Sequence, residues 1–195
     1  SYAYGNKGGF NFNVGMTTDS AYTVVATISA QGEVSATSFS TASDRRIKLN
    51  IRDIHKSISD ADINIISNYI FGFPEDTFET MQETLDLALE LNSEMANMYP
   101  CQALPGSPMY HTARKNGWAL PDSYEGYAFL SYESQPLPTK YLSSAEVLRF
   151  RDDAWQKYFT HGPYLDLVER RFGVQERKNV VDMSQIRLKR KILGD

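Results

Sequence analysis

Hydrophobic and polar positions follow two different rhythms along this chain, and the rhythm changes near residue 50. Before the change, Phe10, Phe12 and Val14 alternate with Asn11 and Asn13, and Tyr22, Val24, Ala26 and Ile28 alternate with Thr23, Val25 and Thr27. Successive side chains of a strand point to opposite faces, so a period of two predicts half-buried strands. Glu33 to Phe39 predicts a third strand, and Gln31-Gly32 sits where a hairpin connection is expected. Residues 1–49 therefore read as a small antiparallel β-meander. Three short strands bury little surface, so such a sheet needs a partner layer or sister chains to be stable.

After residue 50 the period lengthens. Ile51, Ile54, Ile58 and Ala61 share one helical face and predict a short helix over 51–60. Ile63 to Phe71 is β-branched and aromatic at both alternating sets of positions, as expected of a parallel strand covered on both sides. It ends at the turn Gly72-Phe73-Pro74. Asp76 followed by Glu79 predicts a capped helix start, and Phe78, Met81, Leu85, Ala88 and Leu89 form a buried stripe reaching about Leu91. Met95 to Cys101 predicts a second strand. Leu104-Pro105-Gly106-Ser107-Pro108 then turns into a helix ending at Gly117. Ser143 with Glu146 predicts the start of a long helix with Val147, Leu148, Phe150, Ala154, Trp155 and Tyr158 on its apolar face, and Pro163 opens a further one to about Arg171.

This alternation predicts an α/β fold in which strands and helices repeat as in a sheet or barrel of βα units. In such folds the loops at the C-terminal ends of the strands carry function. The expected organisation is a meander over 1–49, a partial (βα) barrel over 50–135 and a C-terminal helical extension over 136–195. Gly72 either lets a ligand approach the backbone or only makes a tight βα turn.

Composition narrows the chemistry. A chain of 195 residues has room for one good core or two small ones. Its net charge of -4 gives no general pull toward nucleic acid. The basic run Arg187, Lys189, Arg190 and Lys191 lacks interleaved aromatics and reads as a solvated helix end; Glu169, Arg170 and Arg171 read as a solvated edge. No apolar run approaches the roughly 20 residues that cross a bilayer, and the first residues lack the layout of a secretory signal. A cytoplasmic protein with neither nucleic-acid nor membrane partners is expected. Cys101 is the single cysteine, which excludes an intrachain disulfide and the usual cysteine-rich zinc sites. It is either a small buried hydrophobe or part of a substrate pocket. His55, His111 and His161 show no metal-ligand spacing.

Two stretches carry family resemblances. Asn68-Tyr69-Ile70-Phe71-Gly72-Phe73-Pro74-Glu75-Asp76-Thr77, with Glu79-Thr80-Met81-Gln82-Glu83-Thr84 after it, resembles the C-terminal half of the radical S-adenosylmethionine (SAM) barrel, in the subgroup with a cobalamin-binding domain. Leu104 to Tyr110, Ala113 to Gly117, Leu137-Pro138-Thr139-Lys140 and Ser143 to Phe159 continue the likeness, which covers about residue 50 to 195. It implies that Asn68, Ile70, Gly72 and Glu75 map onto the G-x-I-x-G-x-x-E pattern that supports SAM, with Asn68 departing from the leading glycine. The C-x-x-x-C-x-x-C loop for a 4Fe-4S cluster, the first barrel strands and a cobalamin domain have no counterpart here, and a cluster needs thiolates. The expectation is a fragment that keeps part of the SAM and substrate cradle, performs no radical chemistry alone, and works with a small-molecule substrate or the remaining part of a radical SAM protein. Trp118, Tyr124, Tyr127, Phe129 and Tyr132 either cross the barrel mouth, as in that family, or pack as an ordinary long loop.

The second stretch, Thr37-Ser38-Phe39-Ser40-Thr41-Ala42-Ser43-Asp44-Arg45-Arg46-Ile47-Lys48-Leu49-Asn50-Ile51, resembles the entry to the intramolecular chaperone of endosialidase-type phage tail fibres, so that residues 10–51 resemble a tail-fibre end. That likeness implies a homotrimeric virion protein in which Ser43 is the nucleophile of autoproteolysis, Asp44 assists and Lys48 belongs to the motif. A serine attacks the preceding carbonyl only with a base in reach. The plainer alternative is a Ser-Asp cap on the following helix. A reading frame joining both pieces is the third possibility.

Overall fold

A computed structural model describes residues 10–13, 24–28, 34–36 and 45–195, with side chains from residue 51 onward. The chain divides into two compact units, Ser1–Leu49 and Asn50–Asp195. In the first, β1 (Phe10–Asn13), β2 (Val24–Ile28) and β3 (Val34–Ala36) form an antiparallel sheet in the order β1-β2-β3. Phe10 pairs with Ile28, and Ile28 pairs with Val34. The expected hairpin at Gln31-Gly32 lies outside the described residues.

Helix α1 (Arg45–Asp60) begins six residues before the expected start, because nothing from Arg45 to Asn50 breaks a helix. Its end explains why the next strand starts late. Asp62 takes a left-handed φ of 60°, Asp62 N–H donates to the Ser59 carbonyl at 3.0 Å, and Ile63 N–H donates to the Ile58 carbonyl at 3.3 Å. This closure uses residues 61–63 to cap the helix. Strand β4 therefore runs Ile66–Phe71 and not from Ile63.

Helix α2 (Phe78–Leu91) follows and leads to β5 (Met95–Pro100). The two strands are parallel and in register, Ile66 beside Met95 through Phe71 beside Pro100. The cap on α2 differs from the expected Asp76–Glu79 pair. Thr77 accepts from Thr80 N–H, while the Thr80 hydroxyl accepts from Thr77 N–H at 3.0 Å. Helix α3 (Pro108–Lys115) is capped by Ser107. Helices α4 (Ser144–Phe159), α5 (Gly162–Phe172) and α6 (Val174–Ser184) complete the unit. The Ser143–Glu146 box that opens α4 is the one expected. Helix α6 had no signal of its own, because its apolar residues do not gather on one side and only Ser184 is buried. Among the described residues the architecture is thus a mixed α/β fold with six helices, a two-stranded parallel sheet and the small antiparallel sheet; a closed barrel is not formed.

One layer of helices covers one face of β4 and β5. Tyr69, Phe71, Ala96 and Met98 pack against Met81, Leu85 and Ala88 of α2, Val147, Ala154 and Tyr158 of α4, and Tyr164 and Val168 of α5. This core draws on residues from both sides of position 136. The expected two-sided cover of β4 is not present: Ile66 is 56% and Ile70 43% exposed, and Met95 on β5 is 56% exposed. The apolar run reads as two-sided because Ile66 and Ile70 stand outward while Tyr69 and Phe71 stand inward. No helix among the described residues is long and apolar enough to cross a membrane.

Gly72, at the end of β4, fixes how closely α4 lies. Its φ is +86°, and a Cβ there would meet Val147 Cγ1 at 2.3 Å. Gly72→Ala should destabilise the fold by about 2–4 kcal/mol through left-handed strain and overpacking. Urea unfolding checks it, and adding Val147→Ala should make the Gly72→Ala cost smaller than in the parent; equal costs in both backgrounds would show that the Val147 contact is not its source.

Candidate functional site

The C-terminal ends of β4 and β5 form a rim built from loops 72–77 and 101–107 and a strap over 137–142. The strap is tied to both loops: Leu137 N–H donates to the Cys101 carbonyl at 3.0 Å and Lys140 N–H to the Pro74 carbonyl at 2.8 Å. Within the first loop, Asp76 folds back. Its carboxylate accepts from Gly72 N–H at 3.0 Å, Phe73 N–H at 2.9 Å and the Thr80 hydroxyl at 2.9 Å. Two loop amides that would otherwise face a ligand are thereby satisfied inside the chain, an arrangement the one-position shift of the α2 cap makes available.

The uncovered face of the sheet begins where this rim ends. In register across it stand Ile66 with Met95, Asn68 with Asn97, and Ile70 with Tyr99. Asn97 Nδ2 donates to Asn68 Oδ1 at 3.1 Å. An amide pair thus lies between two apolar rows, with its remaining hydrogen-bonding groups facing outward. Phe129 packs edge-on against Tyr99 at 4.9 Å between centroids and covers that end of the face. The rest of the aromatic stretch disperses: Trp118 joins the small core of Cys101, Ala103, Ala113 and Leu137, whereas Tyr124 is largely exposed.

The structure brings together two of the four residues expected around SAM. Asn68 and Ile70 share the open face. Gly72 is buried and its close approach is to Val147, while Glu75 lies exposed on the turn. The fit to SAM thus rests on Asn68 and Ile70. Lys48 falls within α1, and Ser43 and Asp44 lie outside the described residues. The residues do not fit a 4Fe-4S cluster: Cys101 is the single cysteine, and among the described residues no three His, Cys, Asp or Glu side chains gather to hold a metal ion.

Cys101 is a buried thiol whose Sγ lies 3.5 Å from Met109 Sδ. Burial, with the nearby Asp76 charge adding to it, pushes it up to about 12. It is the buried hydrophobe among the alternatives. Next to it, both amide atoms of Gln102 are buried without a partner among the described residues. Gln102 lies in the loop after the second strand, where the βα pattern places functional residues; Asn97 carried no signal in sequence and becomes visible only when the register sets it opposite Asn68.

Two charged stretches differ from expectation. Arg171 is not a solvated edge: it donates to Glu94 Oε1 at 3.2 Å and pairs with Asp62. Glu94 is buried beneath it; burial alone would raise its carboxyl, yet the Ile65 N–H, its own N–H and Arg171 bring it below the usual value. In the tail Arg187, Lys189 and Lys191 are exposed as expected, and Arg190 alone differs. Arg190 is fully buried and held by Asp152, and Lys191 reaches Glu133 at 2.8 Å. No protein-family model matches this chain, and no curated protein matches it.

The buried acids set an alkaline limit. Burial raises Cys101 to about 12, Tyr164 to about 12, and Tyr69 and Tyr158 above the ordinary phenol range. Each must stay protonated in the folded chain, whereas the unfolded chain releases those protons at lower pH. Their stabilisation is complete below about pH 9 and is lost progressively as pH rises toward 12. Urea midpoints measured across that range should fall, less steeply in a Cys101→Ala, Tyr158→Phe variant. Iodoacetamide at neutral pH should leave native Cys101 unmodified and label it after unfolding.

Proposed function

We propose that residues 50–195 are the C-terminal part of a radical SAM protein of the cobalamin-binding subgroup, retaining part of the SAM and substrate cradle and carrying out no radical chemistry alone. The observation that supports this reading most is the in-register parallel pair β4–β5, joined through α2, with Asn68 and Ile70 side by side on its uncovered face. When bound, SAM would supply an adenine surface for Ile70 to contact and polar edges for the Asn68–Asn97 amides. Gly72 contributes packing and Glu75 stays at the solvent side of the turn. The remaining part of such a protein, or its small-molecule substrate, would cover the open face.

A second reading applies to the first unit. The antiparallel β1–β2–β3 sheet, with α1 opening at Arg45, is in keeping with a tail-fibre end followed by a chaperone motif. In that case Ser43, Asp44 and Lys48 act in self-cleavage within a trimeric virion protein, and a chain holding both pieces is a chimera.

Calorimetric titration with SAM tests the first reading. Saturable binding weakened about tenfold or more by Ile70→Asp is the expected result, since a charge at the apolar contact opposes burial. A chain that binds no SAM at millimolar ligand lacks the cradle. Intact-mass analysis separates the two units: an unbroken chain is expected if the first reading covers the activity, whereas fragments split at Ala42-Ser43 and absent in Ser43→Ala would establish the fibre reading.

A further inference from the structure

Arg151 and Arg190 are 4% and 0% exposed, and both lean on one carboxylate. Arg151 Nη1 donates to Asp152 Oδ1 at 2.7 Å; Arg190 Nε and Nη2 donate to Asp152 Oδ2 and Oδ1 at 2.8 and 2.9 Å. Their other guanidinium contacts are uncharged: Met98 O at 2.7 Å and the Phe129 ring at 5.8 Å for Arg151, and Ser131 O at 2.8 Å for Arg190. The Asp195 carboxylate meets the backbone N–H of Arg190 at 3.0 Å, not its guanidinium. Two buried cations thus share one partly exposed anion. An excess charge in a desolvated place is costly unless a counter-charge joins it. Burial holds Arg151 below its ordinary value, Arg190 adding to this and Asp152 opposing it.

A cavity of about 450 Å³ opens beside this cluster, between α4 and the C-terminal segment. Arg151 and Asp152 line it together with Leu130, Trp155, Met183 and Leu188, so one part of the wall carries charges of both signs and most of it is apolar. Arg149 also lines it and has no partner among the described residues, while Arg187 and Asp153 in the same wall are paired with each other at 3.8 Å. No lining residue comes from β4, β5 or the rim. We propose that this cavity binds an amphipathic organic anion, a monocarboxylate whose aliphatic body lies on Leu130, Trp155, Met183 and Leu188 and whose carboxylate meets Arg149 and Arg151. The volume is in the usual range for small-molecule sites, and guanidinium groups match a carboxylate in a forked geometry. The ligand supplies the negative charge that the Arg151–Asp152–Arg190 cluster lacks.

Calorimetric titration of the full chain with sodium octanoate, with 1-octanol as the neutral comparator, tests this. Octanoate should bind saturably, and octanol about tenfold more weakly, the difference being the charge-assisted hydrogen bonds. Arg149→Gln should weaken octanoate and leave octanol unchanged. Leu188→Asp, at a partly exposed position, should abolish octanoate binding while circular dichroism stays native; if it does not stay native, Met183→Asp serves the same purpose. Equal affinity for acid and alcohol, no saturable octanoate binding at millimolar concentration, or binding untouched in a folded Leu188→Asp or Met183→Asp chain would each overturn the proposal.

Discussion

Helix α4 lies across one face of two parallel strands, and the arrangement of the second unit depends on that contact. Val147, Leu148, Ala154 and Tyr158 are essentially without exposure, and Val147, Ala154 and Tyr158 meet the side of the sheet that carries Tyr69, Phe71, Ala96 and Met98. Each large apolar side chain so buried contributes about 1.5–3 kcal/mol, which two strands alone have no means to recover from water. The same helix also answers the polar demands of β5. Tyr158 donates to the Ser93 carbonyl just before the strand at 2.8 Å and Arg151 to the Met98 carbonyl within it at 2.7 Å, so these two buried carbonyls are not left unpaired.

From that contact the functional geometry follows. With helices on one side only, the other face keeps Ile66, Asn68, Ile70, Met95 and Asn97 at the surface. Parallel sheets are ordinarily covered on both faces, so an open one is a surface that calls for a second layer or a ligand. The rim loops are less available than their position suggests. Asp76 occupies the amides of Gly72 and Phe73, and the strap at Leu137 and Lys140 closes over the carbonyls of Cys101 and Pro74. The surfaces this unit leaves available are therefore the open face and the cavity beside α4 rather than the turn at Gly72.

Charge is handled in the interior to an unusual degree for a unit of this size. Glu94, Arg151 and Arg190 are all buried, each tied to backbone groups as well as to an opposite charge. Such groups add little net stability compared with apolar side chains of the same volume, but removing one partner strands the other. Arg190 pins the C-terminal segment to α4 through Asp152, and that pin shapes the cavity. One residue of a stretch that reads as a basic tail, Arg190, is in this way part of the core.

Much of the second unit was determined locally. The alternation of apolar residues, the Ser143–Glu146 cap, Pro108 and Pro163 at helix starts, and Gly117 after a helix are features that neighbouring residues settle among themselves, which is why those elements are visible in sequence. The period-two signals near Phe10 and Val24 likewise correspond to strands of an antiparallel sheet. What pattern alone left undecided was which side of β4 is covered, since Ile66 and Ile70 stand on one side and Tyr69 and Phe71 on the other. The pairing of Asn68 with Asn97, the burial of Arg190 and the filling of the space beside Gly72 by Val147 were also beyond it. Each joins residues 29 to 75 positions apart, and their energies depend on desolvation and close packing, quantities that exist only once the chain has brought those residues together.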